Sequence, residues 1–404
     1  MSTLFQPQPD LTLFPEPVAL DALPTPCLLL DVDKMNANIS RFKEHWKDSG
    51  IALRPHLKTC RSWPVARQVL SSPQGPCCVA TMGEAEAAFG FGARDIVLAV
   101  GIRPHLFGRA HALMQQGADI KVLLDSKAEA SALAEWAKEH KAAFSVLLEI
   151  DCDGHRAGLA PDSPLLAEIA DILSAGGQKV AGILTHAGSA YDICDIKKLQ
   201  ALAVQEAEAA SRAAALLRAH GHACPIVSVG STPTGMLGPS RDIAQMGVTE
   251  VRAGVFVFMD LVMEGLGVCT KDDIALTVLT SLLGGFPEDG SLPEKILTDS
   301  GWAALSTDRG LAVRFPEQGY GLACSLDGAL LPGIAAADLN QEHGMLRVAK
   351  DVPPSTACFL GSLTPSSKLR ILPNHACAAA MMHKAYYLVH NGMCFAKARR
   401  FGGW

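Results

Sequence analysis

From Cys27 to about Met259, short apolar runs alternate with longer amphipathic stretches. The runs are Cys27–Leu30, Ile51–Arg54, Cys77–Ala80, Ile96–Val100, Ile120–Leu124, Phe144–Ile150, Val180–Leu184, Ile226–Val229 and Val251–Phe258. Between them lie Lys34–Trp46, Glu84–Phe89, Lys127–His140 and Ile196–His220, the last rich in alanine and so strongly helix-forming. Strand then helix, repeated in this way, predicts a parallel sheet joined by crossover helices. The number of repeats suits a (β/α)8 barrel, which takes about 250 residues. A doubly wound open sheet has the same spacing and stays open as an alternative.

The pattern changes after about Lys271. Ile274–Leu279, Ile296–Asp299, Gly321–Leu326, Leu346–Val348, Leu369–Leu372 and Tyr386–His390 read as strands. Turn-formers separate them: Gly284-Gly285, Asp289-Gly290, Pro332-Gly333 and Pro353-Pro354. Helical stretches are nearly absent, so an all-β second domain is expected. The expected division is a head, 1–24, packing on the β domain; a barrel, 25–265; and the β domain, 266–404.

Composition narrows the class of function. Of 404 residues, 49% are hydrophobic and 19% charged, which buries a sizeable core and argues against disorder. The formal charge of -6, without any basic cluster, excludes nucleic acid as the expected partner. No apolar run approaches the roughly 20 residues of a membrane span. Met1 to Leu20 has no basic residue and no continuous apolar core, so it does not read as a secretory signal. The 12 cysteines are scattered, with no CxxC pair; they read as reduced, mostly buried thiols of a cytoplasmic protein.

In such a barrel, chemistry sits at the C-terminal strand ends. Lys58 follows Ile51–Arg54, and Thr81 ends the next run. Asp151, Asp153, His155 and Arg156 end Phe144–Ile150, while His186 and Tyr191 follow Ile183-Leu184. A lysine in cationic company at a barrel mouth suits Schiff-base chemistry, although a solvated lysine is the commoner case. Gly230-Ser231-Thr232 follows Ile226–Val229 and could cradle a phosphate with its amides and hydroxyls. Taken alone, a strand-to-helix turn with an N-cap hydroxyl is the stronger reading. In Asn374-His375-Ala376-Cys377, residues i and i+2 of an extended chain face one side. His375 and Cys377 could grip one metal; a buried cysteine beside a core histidine is the competing reading. Glu342-His343-Gly344 is either an outer contact to such a site or a simple turn.

Several segments, in this order, resemble the fold-type III pyridoxal-phosphate enzymes of the D-serine dehydratase and D-threonine aldolase group. They are Thr25-Pro26-Cys27-Leu28, Arg54-Pro55-His56-Leu57-Lys58-Thr59, Glu149 to Gly158, His186-Ala187-Gly188-Ser189-Ala190-Tyr191, Gly230-Ser231-Thr232-Pro233-Thr234, Glu250-Val251-Arg252-Ala253-Gly254, Glu342-His343-Gly344 and Pro373-Asn374-His375-Ala376-Cys377. The resemblance implies an alanine racemase-like barrel with a C-terminal β domain. It makes Lys58 the Schiff-base lysine. Arg156 would bond the cofactor's phenolic oxygen; His186 belongs to the cofactor site and Tyr191 lies near the pyridine ring. Gly230, Ser231 and Thr232 hold the phosphate. His375 and Cys377 hold a divalent metal, with Zn2+ preferred over Mn2+ or Mg2+ for an imidazole–thiolate pair. A homodimer is also implied. The chain departs from the family at Cys60, where histidine is frequent, at Phe256, where tyrosine is, and at Ala253, where proline is.

The expected substrate is a small D-amino acid with a β-hydroxyl: D-serine, D-threonine or 3-hydroxy-D-aspartate. The expected reaction is dehydration to a 2-oxo acid and ammonia. Retro-aldol cleavage to glycine and an aldehyde is the alternative. Within the resembling group a His-x-Cys pair goes with the dehydratases and an aspartate at the second position with the aldolases. A racemase would leave the metal pair idle, and a cofactor carrier would not need the second domain.

Overall fold

The computed structural model describes Phe5 and residues 8–403. The chain divides into two compact units. One comprises Ile39–Phe256 with the C-terminal residues from Phe401; the other comprises the residues up to Asn38 with Val257–Arg400.

The first unit is built on eight parallel strands: β1 (Ala52–Pro55), β2 (Cys77–Val79), β3 (Asp95–Gly101), β4 (Asp119–Leu124), β5 (Ser145–Ile150), β6 (Lys179–Thr185), β7 (Ile226–Val229) and β8 (Glu250–Ala253). Their order around the sheet is β1-β8-β7-β6-β5-β4-β3-β2. Just beyond β1 and β2, a parallel bridge between His56 and Cys78 closes the seam, and the Leu57 amide donates to the Cys78 carbonyl at 2.8 Å. This is a (β/α)8 barrel rather than an open sheet. Its strands read as apolar runs because both faces are covered. Cys78, Val97, Leu123, Leu147, Ala181 and Leu184 pack together as one core cluster. The floor is ionic: buried Arg54 pairs with Glu250 and Asp95, each at 2.8 Å, and Lys121 also reaches Asp95.

The second unit carries a ten-stranded sheet. Leu276–Gly284, Lys295–Thr298, Gly344–Val348, Leu330–Leu339, Gly321–Cys324 and Lys368–Pro373 follow one another antiparallel, and the last pairs back with the first, so six strands form a closed ring. The run Cys27–Leu30 corrects the sequence-based expectation. It forms strand Cys27–Asp31, which pairs with Leu276–Gly284 and Ala385–His390 in this sheet and contributes nothing to the barrel. The remaining apolar runs account for the eight barrel strands. Within the proline-rich head, Leu11–Ala19 is a strand paired with Met393–Arg399; residues 1–4, 6 and 7 of that head lie outside the described residues. Sequence periodicity also missed Leu330–Leu339, Met393–Arg399 and the short helices Pro354–Gly361 and Ala376–Ala380. Among the described residues no helix is long and apolar enough to cross a membrane, and all twelve cysteines are free thiols.

Candidate active site

Lys58 stands on a tight turn immediately after β1. The turn is pinned from both sides by backbone, through Leu57 on Cys78 and through the Arg61 amide, which donates to the Leu57 carbonyl at 2.8 Å. Arg61, at φ +40°, is anchored by an ion pair of 2.7 Å to buried Glu84. Phe401 donates its amide to the Arg61 carbonyl. Behind the turn, a Cβ on Gly254 would meet Thr59 Oγ1 at 2.7 Å, so only glycine lets β8 approach this closely. Lys58 itself is exposed, at the C-terminal end where the fold presents its chemistry.

Around it the barrel mouth is cationic, although the chain as a whole is not. Burial, with Lys58, Arg252 and His186 adding to it, holds His56 well below its ordinary value. Burial likewise pushes His186 down to about 3, helped by Arg156, Arg252 and Lys58 and opposed by the Gly230 carbonyl. That carbonyl accepts from His186 Nδ1 at 3.2 Å, so the neutral ring carries its proton there and turns Nε2 away. Arg252 is buried and donates to Ser228 Oγ at 2.6 Å and to the Thr185 carbonyl. Arg156 is exposed on the loop after β5, which Asp151 folds by accepting from the amides of Asp153 and Gly154. Tyr191 is half-buried, its ring centroid 6.1 Å from that of His186.

The sign of a pH effect follows. An unfolded histidine protonates near 6.5, whereas folded His186 resists protonation until about 3. Its contribution is therefore present above about pH 6.5 and lost as pH falls toward 3. Thermal unfolding of the ligand-free protein between pH 7 and 4 should show a shallower acid-side loss in His186→Asn than in wild type. Equal slopes would remove histidine from the account.

Gly230 opens the loop between β7 and the short helix Thr232–Leu237 at φ +115°, and a Cβ there would lie 2.6 Å from the Arg252 carbonyl. The helix-cap reading of this loop holds. Ser231 is the helix cap, its hydroxyl accepting from the Thr234 amide while Thr234 Oγ1 accepts from the Ser231 amide. Thr232 Oγ1 accepts from the Phe256 amide. The loop is thus pre-formed, which a phosphate site requires. One residue that sequence reasoning missed secures it. Glu206, buried on helix Ile196–Ala219, accepts from the amides of Ala187 at 2.9 Å and Gly230 at 3.1 Å with the same oxygen. It ties the His186 loop to the phosphate loop, and burial raises its pKa. Glu206→Ala strands two buried amides and should cost roughly 2–5 kcal/mol in urea unfolding. Glu206→Gln keeps an acceptor oxygen and should cost less than half of that; equal losses would mean the hydrogen bonds do not matter.

A small molecule with an aldehyde and an anionic group fits the chemistry of these residues: Lys58 offers an amine, and Arg156 and Arg252 supply positive charge.

In the second unit, His375 and Cys377 come together by a different route from the one expected. They do not share the face of an extended strand. His375 is extended (φ -132°, ψ 110°) and caps helix Ala376–Ala380, whose first turn bears Cys377. Buried Asp260 fixes this start by accepting from the Ala376 amide at 2.8 Å. His375 Nδ1 donates to Asp308 Oδ2 at 2.7 Å, and Asp308 Oδ1 accepts from the Gly310 amide. Burial opposes a charge on His375, but Cys377, Asp308 and Asp260 outweigh it and push its pKa up to about 11. Cys377, Asp308 and Asp260 around the ring make this a place of negative potential, suited to a cation. A carboxylate behind a histidine is also the usual support of a metal ligand. Among the described residues no three or more His, Cys, Asp and Glu side chains gather as a metal cage. The pair fits a metal only as an open site completed by water or substrate. Glu342-His343 forms an exposed turn, with the Asn340 amide on the His343 carbonyl.

Two families cover the chain in tandem: residues 30–262 match the alanine racemase N-terminal domain, and residues 275–389 match the putative serine dehydratase domain. The chain is 42% identical to D-threo-3-hydroxyaspartate dehydratase of Delftia sp. (strain HT23), over 95% of this chain and 98% of that protein. It is 26% identical to D-serine dehydratase of Dictyostelium discoideum (92% and 95% covered) and 28% identical to D-threonine aldolase of Arthrobacter sp. (91% and 90%). The solved structure of the Delftia enzyme superposes with a TM-score of 0.89 over 96% of this chain and all of that one, and a cysteine-to-alanine variant of it is described as in the metal-free form. With a match from residue 30 to 262 and this relative along nearly its whole length, the chain belongs to the alanine racemase N-terminal domain family, in the branch that carries a serine dehydratase domain behind the barrel.

Proposed function

We propose that this protein is a pyridoxal-phosphate- and metal-dependent lyase that dehydrates β-hydroxy D-amino acids, 3-hydroxy-D-aspartate first among them and D-serine second. The observation that carries the lyase over a racemase is the His375–Cys377 pair, backed by Asp308 at 2.7 Å. A racemase moves only the Cα proton and has no use for it.

Bound pyridoxal phosphate would supply the electron-withdrawing ring that makes a Cα–H bond acidic. Lys58 would hold it through Nζ, the loop Gly230-Ser231-Thr232 would take the phosphate, and Arg156, His186 and Tyr191 would orient the ring. Lys58 Nζ has a second task as the base that accepts the Cα proton. Neutral His56 and His186 leave the local positive charge to Arg156 and Arg252. His375 Nε2 and Cys377 Sγ would hold a divalent cation, Zn2+ fitting the soft thiolate best, and its Lewis acidity would ease departure of the β-hydroxyl. Loss of that proton and that hydroxyl gives an enamine, which water converts to a 2-oxo acid and ammonia.

The D-threonine aldolase likeness keeps retro-aldol cleavage as the second reading. Product analysis with 3-hydroxy-D-aspartate and D-serine separates them. Oxaloacetate or pyruvate with stoichiometric ammonia is the expected result, and glycine would replace the dehydratase by the aldolase. We further propose a cytoplasmic homodimer, in keeping with twelve free thiols and with Trp302, Val313 and Met382 exposed on the second unit; light scattering of the purified protein checks the dimer.

A further inference from the structure

We propose that Arg309 is a specificity-determining residue that reads the second carboxylate of a dicarboxylic substrate; the inference deepens the lyase reading and rests on it. In 3-hydroxyaspartate the hydroxyl and the second carboxylate sit on the same carbon. A cation that recognises the carboxylate must therefore stand beside the groups that act on the hydroxyl. D-serine has hydrogen where this carboxylate is.

Arg309 stands in such a place. It follows Asp308, whose carboxylate is held by His375 at 2.7 Å. The Asn374 side chain, next to His375, donates to the carbonyls of Arg309 at 3.2 Å and Gly319 at 2.9 Å. Gly319 precedes Tyr320, and the Arg309 guanidinium lies 5.4 Å from the centre of the Tyr320 ring. One amide thus fixes both halves of a cation–π pair to the backbone that carries His375.

The cation is also unspent. Both oxygens of neighbouring Asp308 are occupied, one by His375 and the other by the Gly310 amide. Among the described residues no carboxylate forms an ion pair with Arg309, which is exposed. A cation–π contact of this kind leaves the guanidinium N–H fork for an anion. That fork matches a carboxylate in two parallel hydrogen bonds.

The test compares kcat/KM for 3-hydroxy-D-aspartate and D-serine in wild type, Arg309→Gln and Arg309→Lys. The ratio between the two substrates should fall by about tenfold to a hundredfold in Arg309→Gln, the range of a charge-assisted hydrogen bond. Most of the change should lie in KM, with partial rescue by Arg309→Lys. An unchanged ratio would overturn the proposal and leave the lyase reading standing. A second measurement uses inhibitors that need no turnover: D-malate should outcompete D-lactate in wild type and lose that advantage in Arg309→Gln. If wild type eliminates from neither amino acid, the lyase reading fails by itself. The inhibitor pair then still decides Arg309, equal loss of both or of neither overturning it.

Discussion

Lys58→Ala is expected to lose the absorbance of bound cofactor near the Schiff-base band and to lose turnover by at least about 10⁴-fold, since one side chain serves as anchor and as base. The protein should nonetheless remain folded. Lys58 is exposed, and the turn beneath it is held by backbone bonds from Leu57 and Arg61 and by the Arg61–Glu84 ion pair. None of these uses the lysine amine. Unfolding free energy should stay within about 0.5 kcal/mol of wild type. Absorbance titration, turnover and denaturation on the same preparation check all three statements. Wild-type absorbance with bound cofactor in the variant would place the anchor elsewhere.

Cys377→Ala is expected to have the second largest effect and a different one. It removes one of two protein ligands, so metal content should drop to background and ammonia release should fall by roughly 10²–10⁴-fold, the scale of losing a Lewis acid that stabilises a poor leaving group. Cofactor absorbance should be unchanged, because Lys58 and the Gly230 loop belong to the barrel. Asp308→Asn keeps both ligands but weakens the support of His375; it should lower metal affinity by about 10–100-fold. Elemental analysis paired with ammonia release reads both variants. Full activity in metal-free protein would remove the metal from the account.

What was legible in the sequence follows from which features are local. Apolar runs bounded by amphipathic stretches identified the barrel because its strands are covered on both faces and most are followed by a helix. Cys27–Leu30 was misplaced for the same reason. A four-residue apolar run looks alike in either sheet, and only its pairing with Leu276–Gly284 and Ala385–His390, far along the chain, assigns it. His375 and Cys377 were found as a pair, but on the wrong geometry. Helix Ala376–Ala380 is too short to show a period, and Asp260, which starts it, is more than a hundred residues away. Asp308 and Glu206 carried no pattern at all. Their roles exist only through tertiary hydrogen bonds, to His375 in one case and to Ala187 and Gly230 in the other. Glu206 left one trace, an acid on the buried face of an alanine-rich helix.

The most direct test of the account is chemical. Protein loaded with pyridoxal phosphate, reduced with borohydride and digested, should yield one peptide that bears the cofactor's mass, with the added group on Lys58. A reduced adduct on any other lysine, or none at all on protein that still turns over 3-hydroxy-D-aspartate, would contradict it.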